Sequence, residues 1–325
     1  MHGLQVKVKN TLVGQIDHLK VADIDNDGIG TVLIEGAGGL NPENTSQAGV
    51  ARFALNNLRF PIREAIFAVA ENKYSTNLAQ RMAVVLTIGG IELDDAVLSG
   101  ITRTGLFSLA KYRLLLENYI GPIPTSISST LTDLDMPVSL VNNPQGRAAL
   151  KDLGFDVLKI NQDLSVHWDK DTGDLDLEQA HVSLENGATA TVKLTLGGVP
   201  QFLFEDPRRA QESLATLTVK RGSIVIEDAS TIIRMIELQA KKANVSQLEI
   251  RAATVAQIRD ALGPLASSTF ADDLSDAADR FMQNPERLEV RLDQKSPIPV
   301  TQLLGMAATA PQAIPNVLGA NVSAD

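Results

Sequence analysis

One stretch of the chain, residues 157–196, has a hydrophobic period that leaves little freedom in its secondary structure. From Leu158 to Trp168, apolar residues alternate with polar ones, which is typical of a strand with one buried face. Two turn sequences, at 169–173 and at Asn186-Gly187, divide the stretch into three segments. We therefore predict a three-stranded antiparallel meander, with a bulge near Glu178 where the apolar parity changes.

After this meander the period changes to that of helices. Asp228 is a candidate N-cap for a first helix, and two further helices are predicted to stop at Gly263-Pro264 and at Asn284-Pro285. Strand alternation precedes these helices in a predicted hairpin with its turn at Arg221-Gly222, and returns at 288–292. The second half therefore combines a meander with helices.

The first half has a less regular pattern. Strand-like segments between residues 4 and 34 surround an Asp27-Gly28 turn, while residues 62–73 and 106–119 have helical spacing. A short echo between residues 55–62 and 131–138 is compatible with an ancient duplication. The alternative is that a buried strand ending in proline is a common pattern.

These patterns together predict the fold class. We expect an α+β protein with extended antiparallel β-sheets and helices packed on one face, and two related halves remain an open alternative. The polar, turn-rich loop at 142–146 is the predicted boundary between residues 1–143 and residues 144–325.

Composition restricts the classes of function. The 325 residues carry a net charge of −10, so we predict no nucleic-acid partner, because a phosphate backbone is bound by basic clusters. The chain has no cysteine, which excludes disulfides and thiolate chemistry and is compatible with both the cytoplasm and a periplasm. We expect no transmembrane segment, and no signal peptide at the start of this chain.

An acidic motif at Asp23, Asp25 and Asp27 is the candidate metal site. Its spacing and the following Gly28 match the opening of a calcium-binding loop, so calcium is the one cofactor considered. The match ends at Ile34, where such a loop needs a bidentate glutamate. The alternative is a polar hairpin tip in an acidic protein.

The predicted C-terminal helices supply a candidate ligand groove. Met235, Ile236, Phe281 and Met282 lie on their apolar faces and could line a groove for a lipid or another apolar ligand. Packing against the sheet is the alternative role for each of them. The uncharged tail, residues 296–324, favours the groove, because such a segment has to rest on something.

No catalytic constellation is evident. The glycine-rich stretch 36–39 lacks the ending of a phosphate loop, and no nucleophile elbow is present. The acidic residues at 169–176 are predicted to lie on a solvated face. A carboxylate-dependent hydrolase stays open, because the many acidic residues offer candidates without singling out a pair.

The meander and the residues around it resemble a family. Leu153-Gly154-Phe155, Trp168-Asp169 and Leu196-Gly197-Gly198, followed by Asn284-Pro285 and 297–300, are similar to uncharacterised periplasmic proteins of alphaproteobacteria. More distantly, strands followed by helices resemble AsmA-like envelope proteins that handle lipids. The resemblance implies a periplasmic location and an apolar ligand.

The expected function is therefore that of a non-enzymatic cell-envelope protein that binds a lipid-like ligand in a groove of sheet and helix, in lipid transport or envelope maintenance. Its expected partners are an apolar small molecule or another envelope protein, and a homo-oligomer is considered. Two alternatives remain: a structural or assembly scaffold that pairs through strand edges, and the carboxylate-dependent hydrolase.

Overall fold

The first half of the chain consists of long strands. The computed structural model describes residues 2–8, 11–41, 46–60, 87–102, 105–265 and 268–325. The strands of this half are β1 (His2–Val8), β2 (Thr11–Ile24), β3 (Gly28–Asn41), β4 (Ser46–Arg59), β5 (Gly90–Thr102), β6 (Gly105–Ile120) and β7 (Ile123–Pro137). From β1 to β7, each strand pairs antiparallel with the one that follows it. This half is thus a meander of unusually long strands.

The second half adds helices to further antiparallel strands. Its strands are β8 (Val157–Asp169), β9 (Asp174–Leu184), β10 (Thr189–Gly197), β11 (Thr218–Glu227), β12 (Arg287–Leu292), β13 (Ile298–Pro299) and β14 (Ala320–Ala324). Its helices are α1 (Pro144–Asp152), α2 (Phe202–Glu205), α3 (Ala210–Ser213), α4 (Ser230–Ala243), α5 (Gln247–Ala261), α6 (Thr269–Gln283), α7 (Val300–Thr309) and α8 (Ile314–Val317). Single 3₁₀ turns occur at Val138–Leu140, Pro207–Arg209, Gly263–Leu265 and Pro311–Ala313.

The chain is therefore α+β with an extended antiparallel sheet, as predicted. Its contacts separate two compact units. Unit 1 holds residues 1–142, 157–163 and 204–206, and unit 2 holds the remainder. The boundary predicted beside residue 143 lies next to the end of the main segment of unit 1, although two short segments further along also belong to that unit.

The meander, its bulge and the three helices predicted for the second half are confirmed. β8, β9 and β10 form the meander, and the pairing register shifts between Val192 and Leu194, opposite Glu178, where a bulge was expected. α4, α5 and α6 correspond to the three predicted helices. α5 begins with a capping box, because the Ser246 hydroxyl accepts from the Glu249 N–H and the Glu249 carboxylate accepts from the Ser246 N–H.

The helix predicted at 106–119 is wrong, because these residues lie in strand β6. Along β6 the apolar residues Phe107 and Leu109 alternate, and the alternation then resumes at Tyr112 and Leu114 with the opposite parity. The step of three residues from Leu109 to Tyr112 has the spacing of a helix. A break in strand alternation was thus misread as helical periodicity. The helix predicted at 62–73 lies outside the described residues.

Two local predictions in unit 2 are also wrong. Arg221-Gly222 is not a turn, because β11 runs through both residues and Gly222 pairs with Leu194 on one side and Leu292 on the other. Asp228 is not the N-cap of α4. It has a φ of +52°, and the N-cap position is Ala229. The N–H of Asp228 donates instead to the carbonyl of Glu286, next to β12.

The uncharged tail is part of the folded unit 2. Residues of the tail form α7, α8 and β14, and β14 pairs with β12 from Ala320↔Leu292 to Ala324↔Leu288. Helix α6 packs on β14 and β12. No helix in the described ranges has the length and apolar character that a membrane span requires.

Candidate functional site

Unit 1 has a row of irregular positions that runs across its strands. Gly36, Asp95 and Asp133, on β3, β5 and β7, all have φ between +48° and +60°. The register places Gly36 opposite Ala51 of β4, and Ala51 opposite Asp95 of β5. Left-handed residues interrupt the pleat and bend a strand, so an aligned row of them curves the sheet along one line.

The apolar alternation changes parity at this row. On β3, Val32 and Ile34 lie at even positions before Gly36, whereas Ala37 and Gly39 lie at odd positions after it, and Leu33 is an apolar residue on the other face. The neighbouring strands change parity at the same row, with apolar residues at odd positions on one side and even positions on the other. We infer that the interrupted pleat keeps the apolar residues of both segments on one face.

On one side of this row lies an open apolar concavity of about 580 Å³, which we call the trough. Its lining is dominated by two adjacent cross-strand rows. The first row is Leu4, Ile16, Ala37, Val50 and Ala96, which the strand register places in line from β1 to β5. The second row is Gly14, Gly39, Ala48, Leu98 and Phe107, from β2 to β6.

The composition of the trough is almost entirely apolar. Gln15 is the single polar residue that lines it, and the residues at its centre on β3 and β4 are mostly glycine and alanine. Larger side chains stand at both ends, with Leu4 and Ile16 at the β1–β2 end and Leu98 and Phe107 at the other end. The concavity exists because the central residues carry little or no side chain while the terminal ones are bulky.

A charged row lies on the other side of the irregular positions. His18, Glu35, Arg52, Asp94 and Lys111 face one another in register across β2 to β6. His18 Nδ1 is 2.8 Å from Glu35 Oε2.

At the centre of this row Arg52 and Arg113 share the carboxylates of Glu92 and Asp94. Arg113 donates to Asp94 at 2.6 Å, and Arg52 donates to Glu92. Ala54 lies beside this network and is 1% exposed.

The network lowers the pKa of Glu92. The hydrogen bond from Arg52 is the largest cause, with the charges of Arg52 and Arg113 and the hydrogen bond from Asn56 adding to it, while burial acts in the opposite direction. A lowered pKa means that the ionised carboxylate stabilises the fold above the ordinary pKa of glutamate, and that this stabilisation is lost as pH falls through the folded pKa.

We expect Glu92→Gln to lower the free energy of unfolding by about 1 kcal/mol at neutral pH, because the ion pairs are lost from a partly exposed network. The difference from the wild type should shrink as pH falls below about 4.5, the ordinary pKa of glutamate, and disappear once pH has fallen through the lower pKa of the folded carboxylate. Urea unfolding at several pH values measures this difference. Glu117→Gln is the matched control, since Glu117 is an exposed glutamate on β6. A constant difference across this pH range would contradict the assignment.

The candidate calcium residues do not form a metal-binding cluster in the structure. Asp25 accepts from the N–H of Asp27 at 2.8 Å and from Arg59 at 3.0 Å, and these bonds lower its pKa. Asp23 has a φ of +56°, and its side chain lies against Gly30. In the described part of the chain, no group of three or more His, Cys, Asp or Glu side chains is arranged to hold a metal. The calcium site stays a prediction.

The four candidate groove residues do not share one surface. Ile236, Phe281 and Met282 are buried, at 3%, 3% and 6% exposure, whereas Met235 is 39% exposed on α4. Helix α6 carries Phe281 and Met282 on the side that also buries Ala271, Ala277 and Ala278. This burial favours the packing role, which the sequence left open as the alternative.

Sequence reasoning missed the trough. The glycine-rich stretch 36–39 lacks the ending of a phosphate loop, yet Ala37, Gly38 and Gly39 line the trough. The available signal was the alignment of small residues across strands, with Gly14 opposite Gly39 and Gly39 opposite Ala48. That signal requires the strand register, which the misread helical spacing at 106–119 obscured.

The acidic residues at 169–176 have structural partners. Asp174 accepts from Lys220 at 2.6 and 2.7 Å, and Asp176 lies 3.5 Å from Arg221. Asp169 accepts from the N–H groups of Asp171 and Thr172 in the turn, which lowers its pKa. A general acid needs a raised pKa instead.

Comparison with known proteins adds little about function. A family model described as "Uncharacterized protein" matches residues 181–325, which begin within β9 and lie in unit 2 except for residues 204–206. The comparison with curated proteins returned no match. The residues that line the trough lie outside the matched range, so the interpretation of the trough depends on its own geometry.

Proposed function

We propose that this chain is a non-enzymatic cell-envelope protein that binds an apolar, lipid-like ligand in the trough of unit 1. The observation that carries the proposal is the composition of the trough, an open concavity of about 580 Å³ with Gln15 as its one polar lining residue. Small-molecule sites commonly have volumes of about 300–1,000 Å³ and mainly apolar linings. The envelope location is supported by the resemblance to periplasmic proteins.

Burial of hydrocarbon would drive binding. Each methylene group removed from water contributes about 0.8 kcal/mol, so a ligand with several buried methylenes can offset the entropic cost of association. The exposed apolar side chain at the β1–β2 end of the trough, Leu4 at 45% exposure, gives such a ligand apolar contacts.

Native mass spectrometry of gently purified protein, followed by organic extraction, tests the proposal directly. We expect a co-purifying apolar molecule, and the stripped protein should bind a fluorescent apolar probe. Val50→Asp places a carboxylate in the trough and is expected to weaken probe binding at least tenfold, because a charge in an apolar site is costly to desolvate. Gln47→Asp is the matched control, since Gln47 also lies on β4 but does not line the trough.

The proposal fails if the protein carries no apolar molecule and the stripped form does not bind the probe. It also fails if Val50→Asp and Gln47→Asp bind the probe as well as the wild type does, because binding would then occur elsewhere.

A structural scaffold is the second candidate function. The strand β1 (His2–Val8) has only β2 as a neighbour within the described residues, so its other edge can pair with a further strand. Oligomers that form with rising concentration in protein free of apolar molecules would favour this scaffold role over ligand binding.

The carboxylate-dependent hydrolase has less support. The resolved pKa shifts of carboxyl groups in the described residues, at Asp25, Glu92, Asp169, Glu249 and Glu289, are all downward. Retaining and inverting hydrolases need one carboxyl group that stays protonated near neutral pH, which requires an upward shift.

A further inference from the structure

The trough runs across the strands instead of along them. Its lining extends over six consecutive strands, from Leu4 on β1 to Phe107 on β6. At a strand spacing of about 4.8 Å, six strands span roughly 24 Å. Its two main rows are two residues apart along each strand, which corresponds to about 7 Å. The trough is therefore several times longer than the distance between its rows.

The centre of the trough differs from its ends. At the centre, Ala37, Gly39 and Ala48 bring a ligand close to the backbone of β3 and β4. At the ends, Ile16 and Phe107 are bulky. A long ligand of uniform, narrow width can follow such a floor from end to end, whereas a fused ring system is short and broad and would leave most of the length unfilled.

From this shape we propose that the ligand is a single unbranched acyl chain that lies across β1 to β6, perpendicular to the strands. This inference rests on the proposed function and specifies the class of ligand. The aligned left-handed residues at Gly36 and Asp95 border the trough on one side, so the chain lies parallel to that row.

A series of fatty acids tests the length of the site. Binding of octanoate, laurate and palmitate to the stripped full-length protein is measured by displacement of the fluorescent apolar probe. We expect affinity to rise by about fourfold for each added methylene until the trough is filled. Cholesterol and the branched phytanate serve as the broad probes, and we expect each of them to bind at least tenfold less tightly than palmitate.

One substitution at the centre tests whether the ligand occupies the full length of the trough or only one apolar part of it. Ala48→Leu places a bulky side chain on β4, between the part of the trough on β1–β3 and the part on β5–β6. We expect palmitate affinity to fall at least tenfold and octanoate affinity to change less than about twofold, because the shorter chain still fits in one part. Gln47→Leu adds the same side chain at the neighbouring position of β4, which points to the opposite face, and should change neither affinity.

The outcomes separate this inference from the proposed function. If the protein binds no apolar probe, the proposed function fails and the inference fails with it. If the probe binds but palmitate is no tighter than octanoate or cholesterol, or if Ala48→Leu weakens both chain lengths equally, the unbranched-chain inference is overturned while apolar binding stands. A dimer that Ala48→Leu dissociates would show that a second copy of the chain occupies the trough, and would also overturn the inference.

Discussion

Replacing Trp168 by alanine is expected to lower the free energy of unfolding of unit 2 by about 3–5 kcal/mol. Trp168 is the only tryptophan of the chain and is 4% exposed at the end of β8. Its indole Nε1–H donates to the carbonyl of Val199 at 3.1 Å. The N–H of Val199 in turn donates to the carbonyl of Gly173 at 2.8 Å. Trp168 therefore connects the turn after β8 to the segment that follows β10.

Two substitutions separate the packing of this tryptophan from its hydrogen bond. Trp168→Phe keeps most of the buried ring and removes the donor, so we expect a loss of about 1–2 kcal/mol. Urea unfolding followed by circular dichroism measures both variants, since each removes the intrinsic tryptophan fluorescence. If Trp168→Ala costs no more than Trp168→Phe, the buried ring does not support the meander and the assignment of the core at this position is wrong.

The sequence predicted unit 2 better than unit 1 for a physical reason. In the β8–β10 meander, apolar and polar residues alternate along each strand from one turn to the next. The alternation changes parity once, near Glu178, and this change is visible because it falls inside an otherwise regular strand. In unit 1 the apolar residues change from even to odd positions, or the reverse, at a row of aligned positions on consecutive strands. A step such as Leu109 to Tyr112 then has the spacing of a helix when it is read on one strand alone.

The candidate ligand site was missed for a related reason. The groove predicted from the sequence consists of large apolar side chains, those of Met235, Ile236, Phe281 and Met282. The trough is defined instead by residues with little side chain, such as Gly39 and Ala48, whose meaning depends on their cross-strand neighbours. Large apolar residues on amphipathic helices are the ones that packing buries, as α6 shows.

Among substitutions in the helices, we expect the largest loss of stability at a large apolar residue that packing buries. We expect Phe281→Ala to lower the free energy of unfolding of unit 2 by about 3–5 kcal/mol, because it removes a ring that is 3% exposed on the buried face of α6. Met235→Ala, at a side chain that is 39% exposed on α4, should cost less than about 1 kcal/mol. Urea unfolding of the two variants gives both values.

The same pair of variants also tests the groove that the sequence predicted along these helices. If Phe281 packs the core, Phe281→Ala loses stability but keeps its affinity for an apolar probe under conditions in which it is fully folded, because the trough residues belong to unit 1. If Phe281 lines a ligand groove, the variant loses probe affinity with little loss of stability, and Met235→Ala weakens binding in parallel. The burial of Phe281 and Met282 together, beside Ala277 and Ala278, supports the first result, since side chains enclosed on every side leave no surface for a ligand.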